Sequence, residues 1–135
     1  KTTCTDTIHR VRLRNGMDAG TVAAAFLNSL TFAFSEVMGR SYGGGVLELE
    51  PNEAERLPLP FNGAEKLDLK QIHRLLLKDD IDSVLDITDK VLLIDGLSLS
   101  RKEVITLRRV WQKLRDRRIN RKHVSKDKVS QSPVR

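Results

Sequence analysis

The stretch that most constrains this chain is Gly39-Arg40-Ser41-Tyr42-Gly43-Gly44-Gly45-Val46-Leu47-Glu48-Leu49-Glu50-Pro51. Three consecutive glycines add nothing to a core, but they permit positive φ and let another surface approach the backbone closely. An arginine, a serine and the only tyrosine of the chain stand directly before them. Val46-Leu47-Glu48-Leu49-Glu50 follows and partly alternates, the pattern of a strand. A strand entered through a glycine hinge, with Arg40, Ser41 and Tyr42 at its mouth and Gly43 and Gly44 behind them, suits a large planar or anionic partner. The competing reading is a turn from helix to strand that only redirects the chain.

Upstream, Val22, Ala25, Phe26, Leu30, Ala33, Phe34 and Val37 recur at three- and four-residue intervals. This spacing predicts one helix from Thr21 to about Met38, apolar on most sides and therefore the most buried element. Asp18 or Thr21 caps its start and Gly39 ends it. Asn28 and Ser29 interrupt the apolar run. A buried Asn needs hydrogen-bond partners, so this pair is expected to tie the helix to a neighbouring strand. Before it, Thr7 to Leu13 reads as a strand with a basic face, and Asn15-Gly16 as a turn. Arg10 and Arg12, with Arg14, would project together toward phosphate or simply toward solvent.

Downstream, Asn52-Glu53-Ala54-Glu55 resembles a short capping box. Leu57-Pro58-Leu59-Pro60 forbids helix and suits an edge strand or an extended connection. Phe61-Asn62-Gly63 turns the chain, and the main internal boundary is placed near residue 62. Beyond it the pattern is helical. Asp68-Leu69-Lys70-Gln71 opens a helix reaching about Lys78, with Leu69, Ile72, His73, Leu76 and Leu77 on one face. Asp80 or Asp82 caps a second helix that ends at Asp95-Gly96. Ser100-Arg101-Lys102-Glu103 is a further capping box, opening a helix to about Asn120. Its stripe of Val104, Leu107, Trp111 and Leu114 needs a partner, most simply the two preceding helices. Residues 124–135 are polar, aperiodic and contain Pro133, which reads as a frayed tail.

The 135 residues suffice for one modest domain, and 39% hydrophobic with 31% charged residues is a globular composition with a polar bias. No apolar run is long enough to cross a bilayer, and no signal-peptide pattern is present. The sequence opens at Lys1 without an initiator Met, as a processed chain or a piece of a longer one would. The single cysteine, Cys4, cannot form an internal disulfide, which fits a reducing, cytoplasmic setting. His9, His73 and His123 are scattered and form no metal cluster. No phosphate loop is found, and the triple glycine follows a helix and precedes a strand, the reverse of a dinucleotide fingerprint. No catalytic constellation emerges, so the residues alone read as a binding module or a fragment of an enzyme.

The net charge of +6 is unevenly spread. Residues 36–100 carry seven basic and thirteen acidic side chains, whereas residues 101–128 carry twelve basic and three acidic ones. An acidic middle able to pair internally and a basic end seeking an anion point to nucleic acid.

The order of elements resembles the C-terminal part of bacterial restriction–modification adenine DNA methyltransferases. The residues that carry the resemblance are Phe26-Leu27-Asn28-Ser29-Leu30, then the Gly39 to Pro51 stretch, then Leu57-Pro58-Leu59-Pro60. It covers roughly Thr7 to Pro60, and the arginine-rich helix from Ser100 to Lys122 is similar to the tail of some members. In that family an N-terminal domain binds S-adenosylmethionine and transfers the methyl group, and a C-terminal domain recognises the target. The Asn/Asp-Pro-Pro-Tyr/Phe motif and the cofactor glycine motif are both absent here, so no catalytic or cofactor residue carries over. The resemblance implies a target-recognition fragment of a site-specific adenine methyltransferase, with S-adenosylmethionine held elsewhere in the parent enzyme.

Two functional readings follow. In the first, the chain binds double-stranded DNA: Arg108, Arg115, Arg117, Arg118 and Arg121 meet phosphates, with Arg10 and Arg12, while Arg40, Ser41 and Tyr42 make closer contacts. In the second, its helices form an interaction module that docks onto the catalytic domain, a nuclease domain or a second copy. A complete small enzyme is disfavoured by the missing constellation. The expected fold class is α+β: residues 1–62 as a small sheet packed on a buried helix, residues 63–122 as about three helices, and residues 123–135 as a polar flexible tail.

Overall fold

The computed structural model describes residues 8–14 and 16–129. Helix α1 spans Ala19–Phe26 and α2 spans Ser29–Met38. Strands β1 (Arg40–Tyr42) and β2 (Val46–Glu48) follow, then the short α3 (Pro51–Ala54) and a 3₁₀ turn at Ala64–Lys66. Helix α4 is Leu69–Leu76, and α5 is Ile81–Thr88, continued by a π-helical segment at Asp89–Asp95. The long helix α6 covers Arg101–Val129. The fold is α+β with a helical C-terminal region, and among the described residues its sheet is a single antiparallel hairpin that pairs Arg40 with Glu48, Ser41 with Leu47 and Tyr42 with Val46.

The single helix expected over residues 21–38 is two helices, bent by 70°. The break is chemical. Asn28 adopts an extended backbone (φ −148°, ψ 159°) and caps α2, its side chain accepting from Thr31 N at 2.9 Å. Its amide donates to Ala25 O and to Thr31 Oγ1, both at 2.8 Å. An Asn fully satisfied this way is more stable as a cap than inside a helix. The apolar periodicity runs on across the break, which is why the sequence pattern alone does not reveal it.

Ser29 forms a tie as expected, but to a helical partner and not to a strand. Its backbone N donates to Asp89 Oδ1 at 2.7 Å and its hydroxyl to Asp89 Oδ2 at 2.6 Å. Arg108 of α6 donates to Asp89 Oδ2 at 2.9 Å and to Asp86 at 2.6 Å. Asn28, Ser29, Thr31, Thr88 and Asp89 are all buried, and among the described residues every buried side-chain polar atom has a partner.

The strand expected at Thr7 to Leu13 does not form over residues 8–14, and Thr7 lies outside the described residues. A strand needs a ladder, and this segment is held to the rest by a bond between His9 Nε2 and Leu49 O at 2.7 Å. The short capping box begins at Glu50 and not at Asn52: Glu53 accepts from Glu50 N at 2.8 Å, with Pro51 in the first helical position. The prolines of 57–60 lie in an extended connection, anchored where Thr31 Oγ1 donates to Pro58 O at 2.7 Å.

Caps at Asp68, Asp80 and the Ser100–Glu103 box stand where the sequence puts them. One apolar cluster draws Ala24 and Ala25 of α1 together with Ala64, Leu67, Ile72, Val84, Leu92, Leu93 and Val104, so segments on both sides of residue 62 share it. The stripe on α6 divides between partners. Val104 joins that cluster beside Leu92 and Leu93, whereas Trp111 packs with Ala33 and Leu85 and meets Phe32 of α2 at a ring separation of 5.2 Å. Helix α6 therefore lies mainly along α2 and not along the two preceding helices. It continues to Val129, past the expected end near Asn120, and residues 130–135 of the expected tail lie outside the described residues. Among the described residues no single helix is long and apolar enough to cross a membrane.

Asp89→Ala removes one partner of a buried charged network and is expected to cost about 3–5 kcal/mol, read as a lowered urea midpoint. The capping carboxylates predict acid sensitivity. Asp18 is held below its ordinary value by the Thr21 N–H, Asp80 by Ser83 and Glu103 by Ser100. Groups lowered in the folded state stabilise it above their unfolded values, near 3.8 for Asp and 4.5 for Glu. That stability is lost as pH falls through the lowered values. The melting temperature should therefore drop on acidification to about pH 3. It should drop less in Asp18→Asn/Asp80→Asn, whose amides accept the same bonds but do not titrate.

Candidate nucleic-acid interface

The glycine stretch forms the tip of the β1–β2 hairpin. Gly44 (φ +94°) and Gly45 (φ +76°) occupy the left-handed region that the three-residue turn requires, and Gly45 N closes it on Tyr42 O at 3.3 Å. Gly39 is needed for space, not for φ. A Cβ there would meet Leu47 Cδ1 and Ser35 O at 2.8 Å and Glu48 O at 3.0 Å, so the hairpin leaves α2 with no room to spare. The tip then lies on α6: a Cβ on Gly45 would stand 3.5 Å from the Ile119 Cα.

Arg118 locks this arrangement. Its guanidinium grips Glu36 of α2 with two bonds, of 2.9 and 2.6 Å, and also donates to Gly45 O. Glu36 and Arg118 side chains are only 4% and 15% exposed. Hydrogen bonding to Glu36 raises the Arg118 pKa further, against the opposing effect of burial, so the side chain stays cationic. Arg118 is thus a fastener between α6, α2 and the hairpin.

Around that fastener is a cleft of about 160 Å³, walled by Ser41 and Leu47 of the hairpin and by Leu114, Arg117, Arg118 and Arg121 of α6. Ser41, Arg117, Arg118 and Arg121 come together here although the hairpin and the helix are far apart in sequence. Arg117 and Arg121 are exposed. Two exposed guanidinium groups beside a hydroxyl suit an oxyanion such as a phosphate.

The other expected contacts lie elsewhere. Strand alternation puts Arg40 and Tyr42 on the opposite side of the ribbon from Ser41. Arg40 pairs with Glu50 at 2.6 Å and Glu53 at 3.1 Å, while Tyr42 is 54% exposed. Gly43 and Gly44 sit at the open tip, with nothing near a Cβ at either position. Arg108 is spent on Asp86 and Asp89. Arg115 lies over the Trp111 ring at 4.8 Å and bonds Asp116 at 2.9 and 3.0 Å. Arg10 and Arg12 are exposed in the segment before α1 and share no strand face. Sequence reasoning missed Glu36, the carboxylate that holds the cleft together. Its only signal is its place on the last turn of an apolar helix, one turn before Arg40.

A second, wider concavity of about 430 Å³ lies toward the other end of α6, lined by the carboxylates Asp86 and Asp89 as well as by Lys90, Arg101, Arg108 and Arg109. Among the described residues no group of three or more metal-ligating side chains converges. The glycine turn joins two strands and opens no helix, so it does not fit the cofactor cradle of a methyl-transfer domain.

Residues 1–93 match the family described as Type II methyltransferase M.Eco57I, C-terminal domain, so the match includes the hairpin and Asp89 and ends before α6. No curated protein and no solved structure matches the chain. With 93 of its 135 residues inside the match, the chain belongs to the family of Type II methyltransferase C-terminal domains.

Proposed function

We propose that this chain binds double-stranded DNA as the target-recognition part of a site-specific adenine DNA methyltransferase of a restriction–modification system. Methyl transfer, and the S-adenosylmethionine it consumes, belong to a separate catalytic domain, whose motifs this chain lacks. The observation that carries the reading is the cleft joining Ser41 of the hairpin to Arg117 and Arg121 of α6. Family membership supports it, because a C-terminal domain of a DNA-modifying enzyme is a natural place for duplex contacts. Exposed arginines at such a cleft neutralise phosphates and release counterions. Tyr42, Gly43 and Gly44 at the open hairpin tip are then the groups best placed to approach the bases, since the tip carries no bulk.

Fluorescence anisotropy with a random duplex across a salt series tests this. Affinity should fall steeply with salt, and Arg117→Gln/Arg121→Gln should weaken binding while reducing the log–log slope by about 2, roughly one per lost phosphate contact. An unchanged slope in the double variant overturns the assignment of the cleft.

A second reading, docking onto the catalytic domain, is favoured by an apolar groove of about 530 Å³ between the segment before α1, α1 itself and the residues after α3. Val11, Leu13, Phe26, Leu57 and Leu59 line it, and Val11 is 78% exposed. Binding of the parent's catalytic domain that survives high salt and is lost in Leu59→Asp is the expected result for that reading; salt-sensitive binding indifferent to Leu59 counts against it.

A further inference from the structure

Adjoining the basic cleft at the Glu36–Arg118 pair lies a fourth concavity, an open dish of about 310 Å³. Phe26, Phe32, Leu47, Leu49, Trp111 and Arg115 form it. The dish and the cleft share Glu36, Leu47 and Arg118, so they adjoin across the buried ion pair. The dish holds three of the six aromatic rings of the chain. Phe26, 38% exposed, is the open ring of the dish; Trp111, only 7% exposed and covered by Arg115, lies at its base, with Phe32 leaning on it at an interplanar angle of 47°.

The polar groups of its walls are already committed. Ser35 Oγ donates to Thr31 O at 2.8 Å, Glu36 is bound by Arg118, and Arg115 is engaged by Asp116 and the Trp111 ring. Surfaces that combine a basic groove with stacking rings hold unstacked bases. A surface whose hydrogen-bonding groups are spent holds them without reading their edges.

Resting on the DNA-binding reading above, we infer that the Phe26–Phe32–Trp111 dish receives an unpaired nucleobase of the bound DNA, whichever of the four bases it is. The basic cleft holds the flanking phosphates and the dish supplies apolar and aromatic surface to one face of the base. Fully paired duplex offers no such base and meets the cleft alone.

Trp111 is the only tryptophan in the chain, so its emission reports directly on the dish. The test compares a paired duplex with the same duplex carrying one bulged base, using the full chain and following both anisotropy and Trp111 emission. The bulged duplex should bind about tenfold tighter, a single-base stacking effect, and should quench Trp111 with A, C, G or T at the bulge. Phe26→Ala should abolish the preference and leave paired-duplex binding intact, while Phe26→Tyr retains both.

Equal affinity for the two duplexes with unmoved Trp111 emission overturns the inference and leaves the DNA-binding reading standing. Preference for one particular base overturns the sequence-tolerant form. Absence of binding to either duplex at low salt overturns both readings.

Discussion

The fold depends on one carboxylate. Asp89 is buried where α5 passes into its π-helical continuation, and it receives three donors: Ser29 N, Ser29 Oγ and the Arg108 guanidinium. A buried anion is tolerable only when its lone pairs are met, and here they are met from two different helices. The Ser29 N–H is one of the orphan donors at the start of α2, so the carboxylate also completes the cap that Asn28 begins. A single side chain thereby sets where α2 starts, how α5 ends and which face of α6 turns inward.

The second fastening, Glu36 to Arg118, stands one helix segment further along. Ser29 and Glu36 are seven residues apart on α2, and their partners through Arg108 and Arg118 are ten apart on α6. Both run in the same chain direction, so α2 and α6 lie side by side and parallel, with the Phe32–Trp111 contact between the two fastenings. Only after this pairing is made does the hairpin have a surface to rest on. The basic cleft is therefore a product of tertiary packing: its wall combines the hairpin, the end of α2 and α6, and none of them is a site alone.

Much of this was legible in the sequence. Asp68, Asp80 and the Ser100–Glu103 box announce their helices because capping is local chemistry, decided within four residues. The hairpin is legible in part, since only glycine supplies the positive φ values at 44 and 45. The break at Asn28 was not, because the apolar spacing continues through it and only the side chain's bonds to Ala25 and Thr31 separate two helices from one. The basic strand expected at Thr7 to Leu13 does not form over residues 8–14 for the opposite reason: alternation is present, but the segment makes no ladder with the two-stranded hairpin. The charges were legible as a total and illegible as individuals. An acidic middle facing a basic end did foretell internal pairing, yet Arg118 and Glu36 are 82 residues apart and no local pattern marks them as partners. Arg108 and Arg115 likewise look outward in a sequence and are spoken for in the fold.

The parallel fastening of α2 to α6 has a mechanical consequence. Interlocking a charge pair, a ring pair and a second charge pair in one row leaves no intermediate alignment. A slip of α6 by one turn, about 5.4 Å, would break all three together. The helix is consequently keyed, like a tongue in a toothed slot, and it carries the glycine tip at a fixed height. Insertions or deletions between Arg108 and Arg118 would shift that height in whole-residue steps and rotate the arginine face with each one. The spacing between those two residues thus sets where along α6 the glycine tip comes to rest.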